Sequence, residues 1–237
     1  MKITLEVKEI SKEYNDFALE SISFALEEGT ITGFIGENGA GKTTTFSAIM
    51  NIIRVDSGEV LLNGKKIKSA KDIGKISYLE SSRDLYPGVY MKEYKNLVRR
   101  IYKKTWSEDK YKYYEKAFHI EKNKKIKELS TGMKSKFYLA VELAKQPEVM
   151  LLDEPTAGLD PIARNELLDI IHRLSKEDKM TILFSSHITS DIEHIADRVI
   201  FIHEGKLLLN MNKEEINNKY KIVFNRDFER VGEEQIG

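Results

Sequence analysis

An α/β fold is predicted for this chain, with a core built on a parallel sheet, antiparallel strands before it and a helical insert within it. Three observations carry the prediction. An apolar run, Ile31-Thr32-Gly33-Phe34-Ile35, feeds a glycine-rich turn and then helix-compatible residues from Thr44 to Asn51. Three buried-strand candidates, Val149–Asp153, Thr181–Ser186 and Val199–His203, alternate with helix-like segments at about 161–176 and 188–196, as βα units do. Between 90 and 145 helical spacing runs without a convincing strand.

Taken in order, residues 2–8 and 20–27 read as strands. Glu59 to Ile67 holds Asn63-Gly64 between short apolar runs, the signal of a two-residue hairpin. The first third therefore mixes antiparallel strands with the single strand that enters the glycine-rich turn. In the insert, Tyr94, Leu97, Val98 and Ile101 predict a helix over 91–104, and Tyr111, Tyr114, Ala117 and Phe118 one over 107–118. A third helix is compatible with Lys134 to Lys145. Glu204-Gly205 turns Val199–His203 back into Lys206–Leu209, a terminal hairpin. The polar, weakly patterned stretch Phe224–Gly237 reads as a frayed or truncated end. The expected organisation is one domain over 1–220, a helical subdomain at about 82–145, and a tail over 221–237.

The 237 residues include 41% hydrophobic residues, ample for a core, and 38 Lys and Arg balance 38 Asp and Glu. That balance argues against bulk electrostatic capture of nucleic acid, and no nucleic-acid partner is expected. There is no cysteine, hence no disulfide framework and no Cys-ligated metal; this fits a reducing cytosol. The N-terminal segment alternates like a strand and lacks a signal-peptide shape, and no apolar run approaches a membrane span. The chain is expected to be soluble by itself, with any membrane role reached through a partner. Residues 91–127 hold 13 Lys and Arg against 5 Asp and Glu. The plain reading is a solvated face; the other is a surface that meets lipid headgroups or an acidic partner.

The glycine-rich turn, Gly36-Glu37-Asn38-Gly39-Ala40-Gly41-Lys42-Thr43, reads G-x-x-x-x-G-K-T between a strand and a helix, the setting of a phosphate-binding P-loop. Its glycines let successive N–H groups aim inward, and the helix starting near Thr44 adds its positive end. Lys42 supplies a mobile charge for the β- and γ-phosphates and Thr43 a hydroxyl for Mg²⁺. Downstream, Val149-Met150-Leu151-Leu152 ends in Asp153 and Glu154. An acid at the C-terminal end of a parallel strand lands beside the P-loop crevice. Asp153 is thus a candidate Mg²⁺ holder, and Glu154 a candidate base for the attacking water.

With these motifs in this order, the chain resembles the ATP-binding subunit of ABC (ATP-binding cassette) transporters, from about residue 3 to about 216. Leu129-Ser130-Thr131-Gly132-Met133 sits where the family has L-S-G-G-Q; Thr131 and Met133 depart, while Ser130 and Gly132, which touch γ-phosphate in the family, are kept. Pro155-Thr156-Ala157-Gly158-Leu159-Asp160 resembles the D-loop, where Asp160 communicates across a dimer; Asp160 before Pro161 also reads as a helix N-cap. Ser185-Ser186-His187 ends a strand as the switch histidine does, implying that His187 contacts γ-phosphate. Tyr14, in the turn between the first two strands, matches the aromatic that stacks on adenine, with Phe17 as fallback. The family's Gln at the entrance to the helical insert is absent. Counting back from Leu85-Tyr86-Pro87, its place is Ser81, too short to reach Mg²⁺ as far, beside the charged Glu80.

The resemblance implies a P-loop NTPase core of the ABC ATPase type and Mg²⁺-dependent hydrolysis of ATP. It implies a second cassette, in a homodimer or related heterodimer. The P-loop, Asp153, Glu154 and His187 of one copy would face Ser130 and Gly132 of the other. It implies a separate transmembrane permease and a cytoplasmic, membrane-peripheral location. Phrases such as Glu128–Lys134 and Thr181–Asp191 resemble bacterial ABC-2-type exporters of the antimicrobial-peptide, phenol-soluble-modulin and YtrB-like groups. A non-transport single-cassette ATPase, or a regulatory cassette with little hydrolysis, stands as the alternative.

Overall fold

The computed structural model describes residues 2–80, 86–121 and 123–219. The chain opens with β1 (Ile3–Glu13) and β2 (Ala18–Glu27), then β3 (Ile31–Ile35) and helix α1 (Lys42–Ile49). Next come β4 (Ser57–Leu62), β5 (Lys65–Lys66), the short helix α2 (Ala70–Ile73) and β6 (Ile76–Glu80). The insert holds α3 (Met91–Ile101), α4 (Glu108–Ala117) and α5 (Thr131–Ala144). β7 (Val149–Asp153), α6 (Pro161–Lys176), β8 (Thr181–Ser185), α7 (Thr189–Ile195), β9 (Arg198–His203), β10 (Lys206–Asn212) and α8 (Lys213–Lys219) complete the order.

Two sheets result. A four-stranded antiparallel sheet has the order β2-β1-β4-β5, and a six-stranded sheet the order β10-β9-β3-β8-β7-β6. In the larger sheet every pair is parallel except the β9–β10 hairpin. β3, β7 and β8 bury every residue, which is why they read as mainly apolar runs rather than alternating ones. Both two-residue hairpins are present. Asn63 (φ 49°) and Gly64 (φ 72°), like Glu204 (φ 44°) and Gly205 (φ 74°), take the paired positive φ of a type I′ turn.

The large sheet is packed on both faces, and the period-2 alternation of its strands divides the core. Met150, Leu152, Ile182 and Phe184 face α5, α6, α7 and the helical insert. Leu151, Leu183, Phe34 and Ile200 face the antiparallel sheet and α1. Phe46 of α1 is fully buried. Its ring lies 5.9 Å from Phe34 and 6.0 Å, edge-on, from Tyr78. A fully buried side chain of this kind stabilises by about 1.5–3 kcal/mol relative to exposure, so Phe46 fixes the helix that begins at the P-loop against β3 and β6 of the six-stranded sheet.

Several boundaries differ from the sequence reading, each for a local reason. β1 runs on to Glu13, past the predicted end at residue 8, and β2 starts at Ala18 rather than residue 20, because irregular register near Glu9 (φ 49°) and Ser21 (φ 51°) breaks the alternation. The Glu9 amide is satisfied by Ser23 Oγ at 2.8 Å instead of by the ladder. β6 was not anticipated; its buried Ser77 interrupts the apolar pattern, yet the strand pairs with β7 along its whole length. α2 follows a Ser69–Asp72 capping box. The insert contains helices and an isolated Tyr90–Lys125 bridge among the described residues. Burial pushes the Tyr114 hydroxyl above its ordinary range, and that hydroxyl donates to Asp178 at 3.0 Å, fastening the insert to the loop after α6. No helix among the described residues is long and apolar enough to cross a membrane.

Candidate functional site

The site lies at the C-terminal edge of the parallel strands. β3 ends at Ile35 and delivers the chain into the loop Gly36 to Gly41, from which α1 departs at Lys42, two residues earlier than the sequence predicts. Asn38 and Gly39 form its exposed tip, while Gly36, Ala40 and Gly41 are buried and Glu37 is half-buried. Gly41 occupies the N-cap position with φ 112°, and a Cβ there would meet Leu19 Cδ2 at 2.7 Å. Glycine is thus required by both conformation and space. Gly41 offers no side-chain acceptor, so the first-turn N–H groups around Thr43 and Thr44 have no capping partner and lack intrahelical ones. That is an anion site.

Lys42 is buried, and its ammonium donates to the loop carbonyls of Gly36 at 2.6 Å and Glu37 at 3.0 Å. Opposite, β7 brings up Asp153, 3% exposed. Its Oδ2 accepts from Thr43 Oγ1 at 2.9 Å and from Tyr78 OH at 3.2 Å, and its Oδ1 from Ser185 Oγ at 2.6 Å. Glu154 follows with φ 52°, a left-handed conformation rare for a long side chain, and its amide donates to Ser185 Oγ at 2.9 Å. Glu154 Oε2 accepts from the His187 amide at 3.3 Å and lies 2.6 Å from His187 Nδ1. Its Oε1 is buried without a hydrogen-bond partner, 3.7 Å from Lys42 Nζ. An acid with one anchored oxygen and one buried oxygen that has no hydrogen-bond partner has an acceptor position to offer a bound water.

The structure therefore brings together Lys42, Thr43, Asp153, Glu154 and His187. It keeps other expected residues apart from them. Ser130 is exposed at the N-cap of α5, its Oγ accepting from the Met133 amide at 3.3 Å; the helix starts at Thr131 rather than Lys134. Gly132 packs where a Cβ would stand 3.1 Å from Ala163 Cβ, so its small size also serves the contact between α5 and α6. No hydrogen bond among the described residues joins Ser130 or Gly132 to the P-loop. Asp160 caps α6, its Oδ1 accepting from Ile162 and Ala163 amides at 3.0 Å each, with Pro161 at the first helical position. Tyr14 is 44% exposed in the β1–β2 turn, 6.4 Å from the Phe17 ring, so it is not a core aromatic. Ser81 and Leu85 lie outside the described residues; Glu80, beside Ser81, pairs in register with Asp153 across β6 and β7.

The sequence reading missed Ser185 and Tyr78 as partners of Asp153. It also missed a cluster in which buried Thr156, Ser186 and Asp191 meet the half-buried Arg164, in the segments that follow Glu154 and flank His187. A hydroxyl at the end of an apolar strand, as in Ser185, was the one available signal.

Residues 19–157 match the family described as ABC transporter. The lantibiotic transport ATP-binding protein SrtF of Streptococcus pyogenes is 30% identical over 224 residues, covering 94% of this chain and 96% of that protein. The bacitracin transport ATP-binding protein BcrA of Bacillus licheniformis is 34% identical over 212 residues, 88% of this chain and 69% of that one. The ABC transporter ATP-binding protein YtrB of Bacillus subtilis is 33% identical over 235 residues, 98% and 80% respectively. Among solved structures, CbiO1 from Clostridium perfringens, part of the ABC transporter complex CbiONQ, superposes with TM-score 0.77 at 28% identity, covering 92% of this chain and 91% of that one. A nucleotide-free ATP-binding cassette from an ABC transporter gives TM-score 0.79 at 22% identity, with 91% and 94% coverage, a likeness of fold. With the glycine loop, the paired acids and the two-sheet core on one chain, the protein belongs to the ABC transporter family, as one of its ATP-binding ATPase cassettes.

Proposed function

We propose that this cassette drives export of peptides or other amphipathic, toxic compounds through a separate transmembrane subunit, working on the inner face of the cell membrane. In this reading Gly36 to Thr44 hold the triphosphate, Lys42 neutralises its β- and γ-phosphates, and Tyr14 stacks on adenine. Thr43 and Asp153 offer a hydroxyl and a carboxylate, hard oxygen donors that suit Mg²⁺ carried in by phosphate; Ser81, in the sequence place of the family's Gln, is the remaining candidate ligand. Bound there, Mg²⁺ would neutralise charge on the phosphate oxygens. Glu154 orients the attacking water and takes its proton. His187, 2.6 Å from Glu154, steadies that carboxylate and reaches toward γ-phosphate.

A second copy of the chain supplies Ser130 and Gly132 across the nucleotide, and Asp160 lies at the contact between copies. Nucleotide contacts that exist only in the closed pair shift the open–closed equilibrium, and loss of γ-phosphate contacts releases it. The cassette spans 1–220 as one domain, with the insert at about 82–145 passing the motion to the membrane subunit. Support for the cargo class comes from the two relatives named for lantibiotic and bacitracin transport.

The observation that carries the chemistry is the Glu154 carboxylate, anchored on His187 through one oxygen and unsatisfied at the other. Glu154→Gln is expected to lower ATP turnover by about 10²–10⁴-fold while ATP stays bound. Turnover at the wild-type rate in that variant refutes Glu154 as the base. Recovery of a membrane protein of several spans with the tagged chain tests the transport assignment.

A further inference from the structure

We infer that Asp191 is a positioning residue which, through Thr156 and Arg164, locks the segment ending at Asp160 to the loop that carries His187. The inference rests on the proposed roles of Glu154 and His187 and names what couples them to the surface around Asp160. Asp191 is 1% exposed on the short helix α7, and no role in holding nucleotide falls to it. Both its oxygens are engaged. Oδ1 receives Arg164 Nε at 2.5 Å and is ion-paired with Nη2 of the same guanidinium. Oδ2 receives Thr156 Oγ1 at 2.7 Å, with Ser186 Oγ at 3.5 Å.

These partners come from two loops and the helix that follows the first of them. Thr156 lies two residues after Glu154, and Arg164 lies in the first turn of α6, one turn beyond the Asp160 cap. Ser186 directly precedes His187, and its Oγ also accepts from the Ile188 amide at 3.0 Å, bracketing His187 on both sides. Arg164 Nη2 adds a bond to Ser190 Oγ at 2.9 Å. The N-cap of α7, Ile188, provides no side-chain acceptor, so the loop geometry depends on these contacts. The two loops are thus joined at two depths, by Glu154–His187 near the P-loop and by Thr156–Asp191–Arg164 below it. An apolar cluster of equal volume would hold α6 on α7 equally well. A buried carboxylate held by Arg164, Thr156 and Ser186 instead fixes where one loop sits relative to the other.

The test compares Thr156→Val, Thr156→Ser and Asp191→Asn in the full chain by steady-state ATP turnover and amide hydrogen exchange. Thr156→Val removes one hydroxyl and leaves the Arg164–Asp191 pair intact, so it folds even if Asp191→Asn does not. The expected result for Thr156→Val is a kcat lowered roughly threefold to thirtyfold, with KM for ATP changed less than about twofold. Exchange at the amides of 186–188, remote in sequence from the substitution, rises at least about threefold. Thr156→Ser, which retains the hydroxyl, restores both. Faster exchange confined to 154–159, or unchanged kcat in Thr156→Val, overturns the inference. If Glu154→Gln in the otherwise wild-type chain also retains turnover, the failure lies with the proposed chemistry instead.

Discussion

Removing the Ser185 hydroxyl tests how the two acids are held. Ser185 is fully buried at the end of β8, in register with Asp153 of β7. Its Oγ donates to Asp153 Oδ1 at 2.6 Å and accepts from the Glu154 amide at 2.9 Å. Ser185→Ala deletes a hydrogen bond to a charged group, about 1.5–3 kcal/mol, and leaves the Glu154 amide unsatisfied, about 1–3 kcal/mol. The two losses share an atom and do not add fully, so about 3 kcal/mol is expected. For a chain of this length that lowers Tm by about 6–12 °C. Thr181→Val on the same strand supplies the comparison. It removes a neutral bond to Thr4 Oγ1 at 3.0 Å, worth about 1 kcal/mol, or about 2–4 °C. Thermal unfolding followed by circular dichroism reads both, and turnover of Ser185→Ala falls besides, because Asp153 and the Glu154 backbone lose their common anchor. A Tm shift for Ser185→Ala no larger than that for Thr181→Val refutes the reasoning.

Three further outcomes are expected. Tyr14→Ala weakens ATP binding by about 1–3 kcal/mol, a Kd increase of about 5- to 150-fold by fluorescence titration, if the exposed ring stacks on the base. Gly41→Ala is strained by φ 112° and by the 2.7 Å approach to Leu19; calorimetry should show nucleotide binding lost before the fold is. Burial of Glu108 works against its charge, but hydrogen bonds from Lys95 and Trp106 outweigh it and hold its pKa below the ordinary 4.5. A lowered folded pKa means the stabilisation is present above pH 4.5 and is lost as pH falls through the folded value. The Tm gap between wild type and Glu108→Gln, measured from pH 7 downward, should therefore close below that range.

Much of this architecture is written locally. The mainly apolar runs of β3, β7 and β8 mark strands covered on both faces, and Asn63-Gly64 and Glu204-Gly205 specify their turns by backbone preference alone. The P-loop is legible for the same reason, since its glycines, lysine and threonine are consecutive. β6 was illegible because Ser77 is buried by a neighbouring strand that local patterning cannot see. The site shows the same division. Lys42 opens the helix after the glycine loop, Asp153 ends an apolar strand, and Glu154 and His187 follow within two residues of strand ends. Ser185 acquires its role only from the β7–β8 register, which sets it opposite Asp153, 32 residues away. Tyr78 and Arg164 likewise reach partners 75 and 27 residues distant, through packing that no local period encodes.

The central claim is that ATP is held between the P-loop of one copy and the Ser130 loop of another. The chain has no native cysteine, so paired single-cysteine variants report this contact without background. Chains bearing Asn38→Cys and chains bearing Ser130→Cys, both carrying Glu154→Gln, are mixed and oxidised with and without Mg²⁺ and ATP. A mixed disulfide dimer that forms with ATP and is absent without it is the predicted result; equal cross-linking in both conditions, or none with ATP bound, contradicts the account.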